Sequence, residues 1–151
     1  MRFTLAYKTL ATTLLCATLA VPAIAQENLM LMFGAPEGRH ATLSFSPNKT
    51  AGDALVVSTM QVGVAGSRLQ LAIDRSKSPL VDRVLAADDC KFNDQGSICT
   101  FAIAGDTPEY GAIVDAFKKG LTLHIELTNA GSTEMSEDIS LVGFTKAYRK
   151  L

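Results

Sequence analysis

Residues 99–128 switch hydrophobic period twice, and that switch constrains the fold more than any other feature of the sequence. Cys99, Phe101 and Ile103 alternate with Thr100, Ala102 and Ala104, the two-residue period of a strand with one buried face. Thr107, Pro108 and Glu109 then supply a helix N-cap, a first-position proline and a negative charge in the first turn. Tyr110, Ile113, Val114 and Phe117 take the three, four, seven spacing of one apolar helix face. Lys118 and Lys119 close this helix, expected over residues 107–119, and Gly120 offers a left-handed cap. Leu121, Leu123, Ile125 and Leu127 then alternate with Thr122, His124, Glu126 and Thr128, so a second half-buried strand follows.

Other segments read as further strands. Leu29 to Phe33 is an apolar run of strand length, followed by Gly34, Pro36 and Gly38 in a turn. Ala41 to Ser46 alternates weakly, and Ala54 to Val64 is valine-rich, as one long strand or two short ones. Leu69, Leu71 and Ile73 alternate; Asp74 to Pro79 is a polar connection; Leu80 to Leu85 suits another short strand. Asn129-Ala130-Gly131-Ser132 is a turn, though its sequence is not that of the tightest two-residue hairpins. Ile139 and Leu141 continue into a strand, and Phe144 to Arg149 suits a short terminal helix. The expected fold is mainly β, sandwich-like or a partial barrel, with one short helix across an end and a C-terminal helical turn.

The amino terminus has the grammar of an export signal. Arg2 and Lys8 precede an apolar stretch from Leu10 to Val21; Pro22 breaks it, and Ala23-Ile24-Ala25 places small residues where a signal peptidase reads. Residues 1–25 are therefore expected to be a cleaved secretory signal and residues 26–151 a single β-rich domain. The apolar stretch is short for a membrane span. Leu15 before Cys16 is bulky where lipoprotein signals carry a small residue. Beyond the signal lie all 15 acidic residues and 12 of the 14 basic ones, Arg2 and Lys8 being excluded, so that 12 against 15 gives a formal charge of −3. With no long basic run, nucleic acid binding is not expected.

Cys90 and Cys99 remain as one even pair in a chain addressed to an oxidising space, where such a pair is normally a disulfide. Their spacing is not that of a C-x-x-C redox motif, and His40 and His124 lie far away with no metal-like spacing. Closing a loop of about ten residues stabilises by roughly 2.5–3 kcal/mol through chain entropy. No catalytic, cofactor-binding or metal-binding residue is assigned. There is no G-x-S-x-G, and Gly63-Val64-Ala65-Gly66 lacks the Lys-Ser/Thr of a phosphate loop. His124 falls on the polar strand face and reads as solvent-facing; His40 reads as a loop residue beside Arg39. Asp88-Asp89 and the acidic group Glu134, Glu137 and Asp138 read as solvated turns or loops. Asn48-Lys49-Thr50 matches a glycosylation sequon, which means little if the host is bacterial.

From Leu69 onward the order of features is similar to that of the invasion-associated locus B family of small exported bacterial proteins. The alternating Leu69-Gln70-Leu71-Ala72-Ile73-Asp74 leads to a proline segment and the cysteine pair. An apolar strand follows, then a helix ending Phe117-Lys118-Lys119-Gly120 and the strand Leu121-Thr122-Leu123-His124-Ile125. The ending Ser140-Leu141-Val142-Gly143-Phe144-Thr145-Lys146-Ala147 resembles the family's closing Ser-Leu-x-Gly-Phe-x-x-Ala. Family members usually carry a tryptophan and further cysteines near the mature amino terminus, whereas this chain has no tryptophan and no cysteine between Ala17 and Asp89; they also have a shorter loop between the later pair. The resemblance implies a divergent or shortened member. It carries over only Cys90 and Cys99, as a disulfide, and brings no catalytic residues. The expected function is that of an exported, non-enzymatic, periplasmic or surface-associated protein that binds a protein or envelope component. The alternatives are a small periplasmic hydrolase using His40 or His124, and an inhibitor or chaperone-like module using an exposed sheet edge.

Overall fold

The computed structural model describes residues 27–34, 38–49 and 52–151. The expected signal and its Ala25 cleavage site, Pro36 of the first turn and Thr50 of the sequon lie outside the described residues. Two antiparallel sheets stack over one core. The five-stranded sheet has the order β1-β2-β3-β7-β6, formed by β1 (Leu29–Gly34), β2 (His40–Phe45), β3 (Asp53–Met60), β7 (Gly96–Ala104) and β6 (Cys90–Asn93). The four-stranded sheet has the order β5-β4-β8-β9, formed by β5 (Val81–Val84), β4 (Arg68–Ile73), β8 (Thr122–Asn129) and β9 (Ser132–Ser140). The sheets do not close into a barrel, so the sandwich alternative holds.

The period-two residues of the sequence are what fill the interior. Leu43, Leu55, Val57, Phe101 and Ile103 point in from one sheet, and Leu69, Leu71, Leu123, Ile125 and Leu127 from the other; all are buried. Register matches them face to face: Leu69 opposes Leu127, Leu71 opposes Ile125, and Ile73 opposes Leu123. Strand β3 stops at Met60, and Gln61 takes a positive φ of 60°. The valine-rich run is therefore one strand followed by a loop.

Helix α1 (Pro108–Lys119) begins as its sequence dictates, with the Thr107 hydroxyl accepting from the Tyr110 N–H at 3.3 Å. Its end is not the left-handed cap that Gly120 suggested. Gly120 is extended (φ −81°, ψ 163°), and its role is steric: a Cβ there would collide with Ile73 Cγ2 and lie 3.1 Å from the Ala116 carbonyl oxygen. Helix α2 (Phe144–Arg149) packs beside α1 through Phe117 and Phe144, whose ring centres lie 5.3 Å apart. Phe45 lies at the centre of this end, touching the rings of Tyr110, Phe117, Phe144 and Tyr148 at 5.4–6.5 Å. The buried hydroxyls of Tyr110 and Tyr148 hydrogen-bond at 2.8 Å. Burial, and then this bond, hold the Tyr110 phenol above its ordinary pKa.

The cysteine pair is more ordered than a pinned loop. Residues 90–99 form a β-hairpin turning at Asp94-Gln95, and Cys90 and Cys99 are direct cross-strand partners with Cα atoms 4.0 Å apart and sulfurs at disulfide distance.

Candidate functional site

Leu123, Ile125 and Leu127 face the core, so Thr122, His124 and Glu126 of β8 must face outward. The β8–β9 hairpin decides what His124 meets. Asn129 pairs with Ser132, which leaves a two-residue loop of Ala130 (φ 48°) and Gly131 (φ 80°). The turn is thus of the tightest kind after all, with Ala130 accepting a left-handed conformation that its sequence did not advertise. Between Leu127 and Thr128 the register then slips by one residue, a β-bulge that leaves Glu134 unpaired in the ladder. Without the slip, Glu137 would face His124. With it, Asp138 does, and the His124 Nδ1–H donates to Asp138 Oδ1 at 2.7 Å.

Arg75 completes the cluster from the β4–β5 connection, donating to the other oxygen of Asp138 at 2.5 Å. It reaches there because Asp74 (φ 50°) and Arg75 (φ 55°) are both left-handed, a conformation that costs a non-glycine residue on the order of 1–2 kcal/mol. Asp74 offsets that cost. Its Oδ1 accepts from the Leu121 and Thr122 N–H groups at 3.2 and 2.9 Å, and its own N–H donates to the Thr122 carbonyl at 2.9 Å. Arg75, and then His124, hold the Asp138 carboxyl below its usual range.

Under this connection lies an open cleft of about 220 Å³, lined in part by Gln70, Ser76, Lys77, His124 and Glu126. His124 is therefore not the free surface residue of the sequence reading: its side chain is 16% exposed and paired. A carboxylate on Nδ1 leaves Nε2 as the group available for chemistry, the arrangement of a general base. Two observations separate it from a nucleophilic triad. Asp138 is shared with Arg75, and among the described residues no hydroxyl hydrogen-bonds to His124, the Ser76 Oγ instead accepting from the Ser78 N–H at 3.2 Å.

The other candidates fall elsewhere. His40 opens β2, is buried, and bonds the Gly38 carbonyl through Nδ1 at 2.6 Å, while Arg39 donates to the Glu134 carbonyl at 2.9 Å. They form no joint patch with His124, which sits on the opposite sheet. Glu134, Glu137 and Asp138 lie in strand β9 and not in a loop, and Glu134 accepts from the Gly63 N–H at 2.9 Å. Asp89 caps the turn before β6, accepting from the Ala86 N–H at 2.8 Å and pairing with Arg83 at 3.4 Å. No three His, Cys, Asp or Glu side chains among the described residues are placed to hold one metal ion.

A second surface is defined by what it lacks. Of the four sheet edges, β5 and β6 have four residues each, with Asp82 and Arg83 on one and Lys91 on the other. The β9 edge carries Glu134, Glu137, Asp138 and a bulge. Short strands, charges and bulges are how proteins prevent an edge from pairing with another chain. Strand β1 has none of them, although it packs beside β9 of the other sheet: its six residues, Leu-Met-Leu-Met-Phe-Gly, are uncharged, and Met30 and Met32 are 54% and 41% exposed. The face beside those methionines continues uncharged through Thr42 and Ser44 to Ser58 and Thr100, whose hydroxyls bond each other at 3.1 Å.

No helix among the described residues is long and apolar enough to cross a membrane. No family model matches this chain, and no curated protein or solved structure matches it.

Proposed function

We propose that this chain is an exported, non-catalytic accessory protein of a bacterial envelope, periplasmic or surface-associated, that binds a protein partner by strand addition at β1. The signal-like amino terminus, the cysteine pair and the similarity to the invasion-associated locus B family support export. The observation that carries the binding mode is the uncharged, unbulged six-residue edge of β1, beside three edges that are short, charged or bulged. Main-chain hydrogen bonds from β1 would give affinity, and pockets for Met30 and Met32 on the partner would give selectivity. The test is a pull-down of exported protein from envelope extracts, followed by amide exchange on the recovered complex. Protection concentrated in residues 29–34 is expected. Protection elsewhere, with the β1 amides unchanged, would refute strand addition.

A second reading, a small hydrolase, is favoured by the His124–Asp138 pair beside a cleft. It predicts turnover of simple esters or peptides that His124→Ala abolishes. Turnover that is absent, or that survives the substitution, removes it.

A further inference from the structure

We propose that the pole formed by the end of α1, the start of β8 and the β9–α2 turn seats on an anionic lipid surface. Two of the most exposed large apolar side chains of the fold lie in these segments, Leu121 at 68% and Val142 at 81% exposure. The Leu141 N–H donates to the Leu121 carbonyl at 2.8 Å, which extends the β8–β9 ladder by one step and sets the two segments side by side. Neither side chain belongs to the core, and neither is shielded by a neighbouring element.

The chain around them is basic. Lys118 and Lys119 immediately precede Gly120-Leu121 at the end of α1, and Lys146 and Arg149 lie on α2 just after Val142-Gly143. The Phe117–Phe144 contact at 5.3 Å holds the two helices together, so these cations occupy one end of the molecule. Lys118 Nζ also lies 5.1 Å from the Tyr148 ring, and Lys49 donates to the Tyr148 carbonyl at 2.8 Å. The salt bridges of Arg68, Arg75, Arg83 and His124 lie elsewhere. Asp115 lies one turn before Lys118 and Lys119 on α1, and the Asp74 carboxylate already accepts two backbone N–H groups, those of Leu121 and Thr122.

Charge complementarity selects the occupant. Residues 26–151 are net acidic, yet the segments that bear the exposed leucine and valine also carry Lys118, Lys119, Lys146 and Arg149. Cations ringing inserted aliphatic side chains are the pattern of peripheral attachment to anionic headgroups, where each Lys or Arg and each buried methylene adds affinity. A protein partner would call for a flatter and more extensive apolar area than two side chains. This surface uses none of the β1 residues and stands whether or not strand addition does.

The test is cosedimentation with vesicles of phosphatidylcholine alone and of phosphatidylcholine mixed with phosphatidylglycerol. Every variant carries the same amino terminus as the wild type, so that any contribution from residues 1–25 cancels. Wild-type protein is expected on the mixed vesicles, with partitioning that falls as salt rises. Leu121→Ser with Val142→Ser lowers it about tenfold. Lys119→Gln with Lys146→Gln lowers it about fivefold per charge, and Met30→Ser with Met32→Ser leaves it unchanged. All six positions are exposed or lie on an edge, and thermal melts confirm that each variant is folded. Equal partitioning onto neutral vesicles, no binding by the wild type, wild-type binding by both pole variants, or capture of short RNA in place of vesicles would each overturn the proposal.

Discussion

The two sheets share one core but are held at their margins by different chemistry. The five-stranded sheet ends in the β6–β7 hairpin, where Cys90 and Cys99 cross the strands covalently. The four-stranded sheet is finished by the β4–β5 connection, which Asp74, Arg75, His124 and Asp138 tie down with polar side chains alone. A covalent tie answers to reductant and is indifferent to pH; a polar one is the reverse. The two margins can therefore be loosened one at a time.

The largest effect is expected from the covalent margin. Cys90→Ser with Cys99→Ser, or reduction of the native protein, should cost about 2.5 kcal/mol. In a domain of this size that lowers the thermal midpoint by about 10 °C or more. Amide exchange should quicken first in residues 90–99, with residues 74–80 unaffected. Two free thiols in the mass of the protein isolated without reductant would show that the margins do not differ as described.

The next largest is expected at Asp74. Asp74→Ala removes both bonds to the start of β8 and leaves alanine at a positive φ, a loss of about 2 kcal/mol. Asp74→Asn keeps an oxygen acceptor and tolerates the left-handed conformation, so it should recover most of that loss in denaturant titrations. If both substitutions cost the same, the carboxylate acts by its charge and not as a backbone acceptor.

Acid should act on the polar margin only. Arg75 and His124 hold Asp138 below its ordinary pKa, and Arg68 does the same for Asp82. A carboxyl lowered in the folded state stabilises fully above its unfolded value, about 3.9, and loses that contribution as pH falls through the folded value. Exchange in residues 74–80 should therefore accelerate below about pH 4 while the β6–β7 hairpin stays protected. Asp138→Asn should abolish the acceleration at Arg75. Parallel acceleration in both regions would mean that acid unfolds the whole domain together.

What the sequence discloses follows the range of the interactions. The strand–helix–strand run is legible because its determinants are local: alternation at Cys99–Ile103 and Leu121–Leu127, and a cap at Thr107. The candidate sites depend on contacts that no local pattern records. Arg75 and Asp138 are 63 residues apart, and they meet only because two non-glycine residues turn left-handed and one register slips at Glu134. That slip exchanges Glu137 for Asp138 opposite His124, so a reading of β8 alone could place the histidine on a polar face but could not give it a partner. Gly120 misled for the same reason: its neighbour Ile73 arrives from a strand distant in sequence. Residues 29–33 are visible as an apolar run, but their place at an edge is a property of the assembled sheet.

The smallest stability effect, and the most informative contrast, is expected at that edge. Met30 and Met32 point away from the core and stand more than two-fifths exposed, so Met30→Lys with Met32→Lys removes little buried surface. Surface changes of this kind stay within about 0.5 kcal/mol. The same lysines give β1 the guard that β5, β6 and β9 already carry, because a strand approaching the edge must then desolvate two charges. Stability should therefore be nearly unchanged while capture of a partner is lost. If capture survives, the unguarded edge is incidental and the partner binds elsewhere. If stability falls by more than about 1 kcal/mol, the methionines pack against part of this chain and the edge is not open. The pair of measurements separates an edge kept bare for another protein from one already covered by its own.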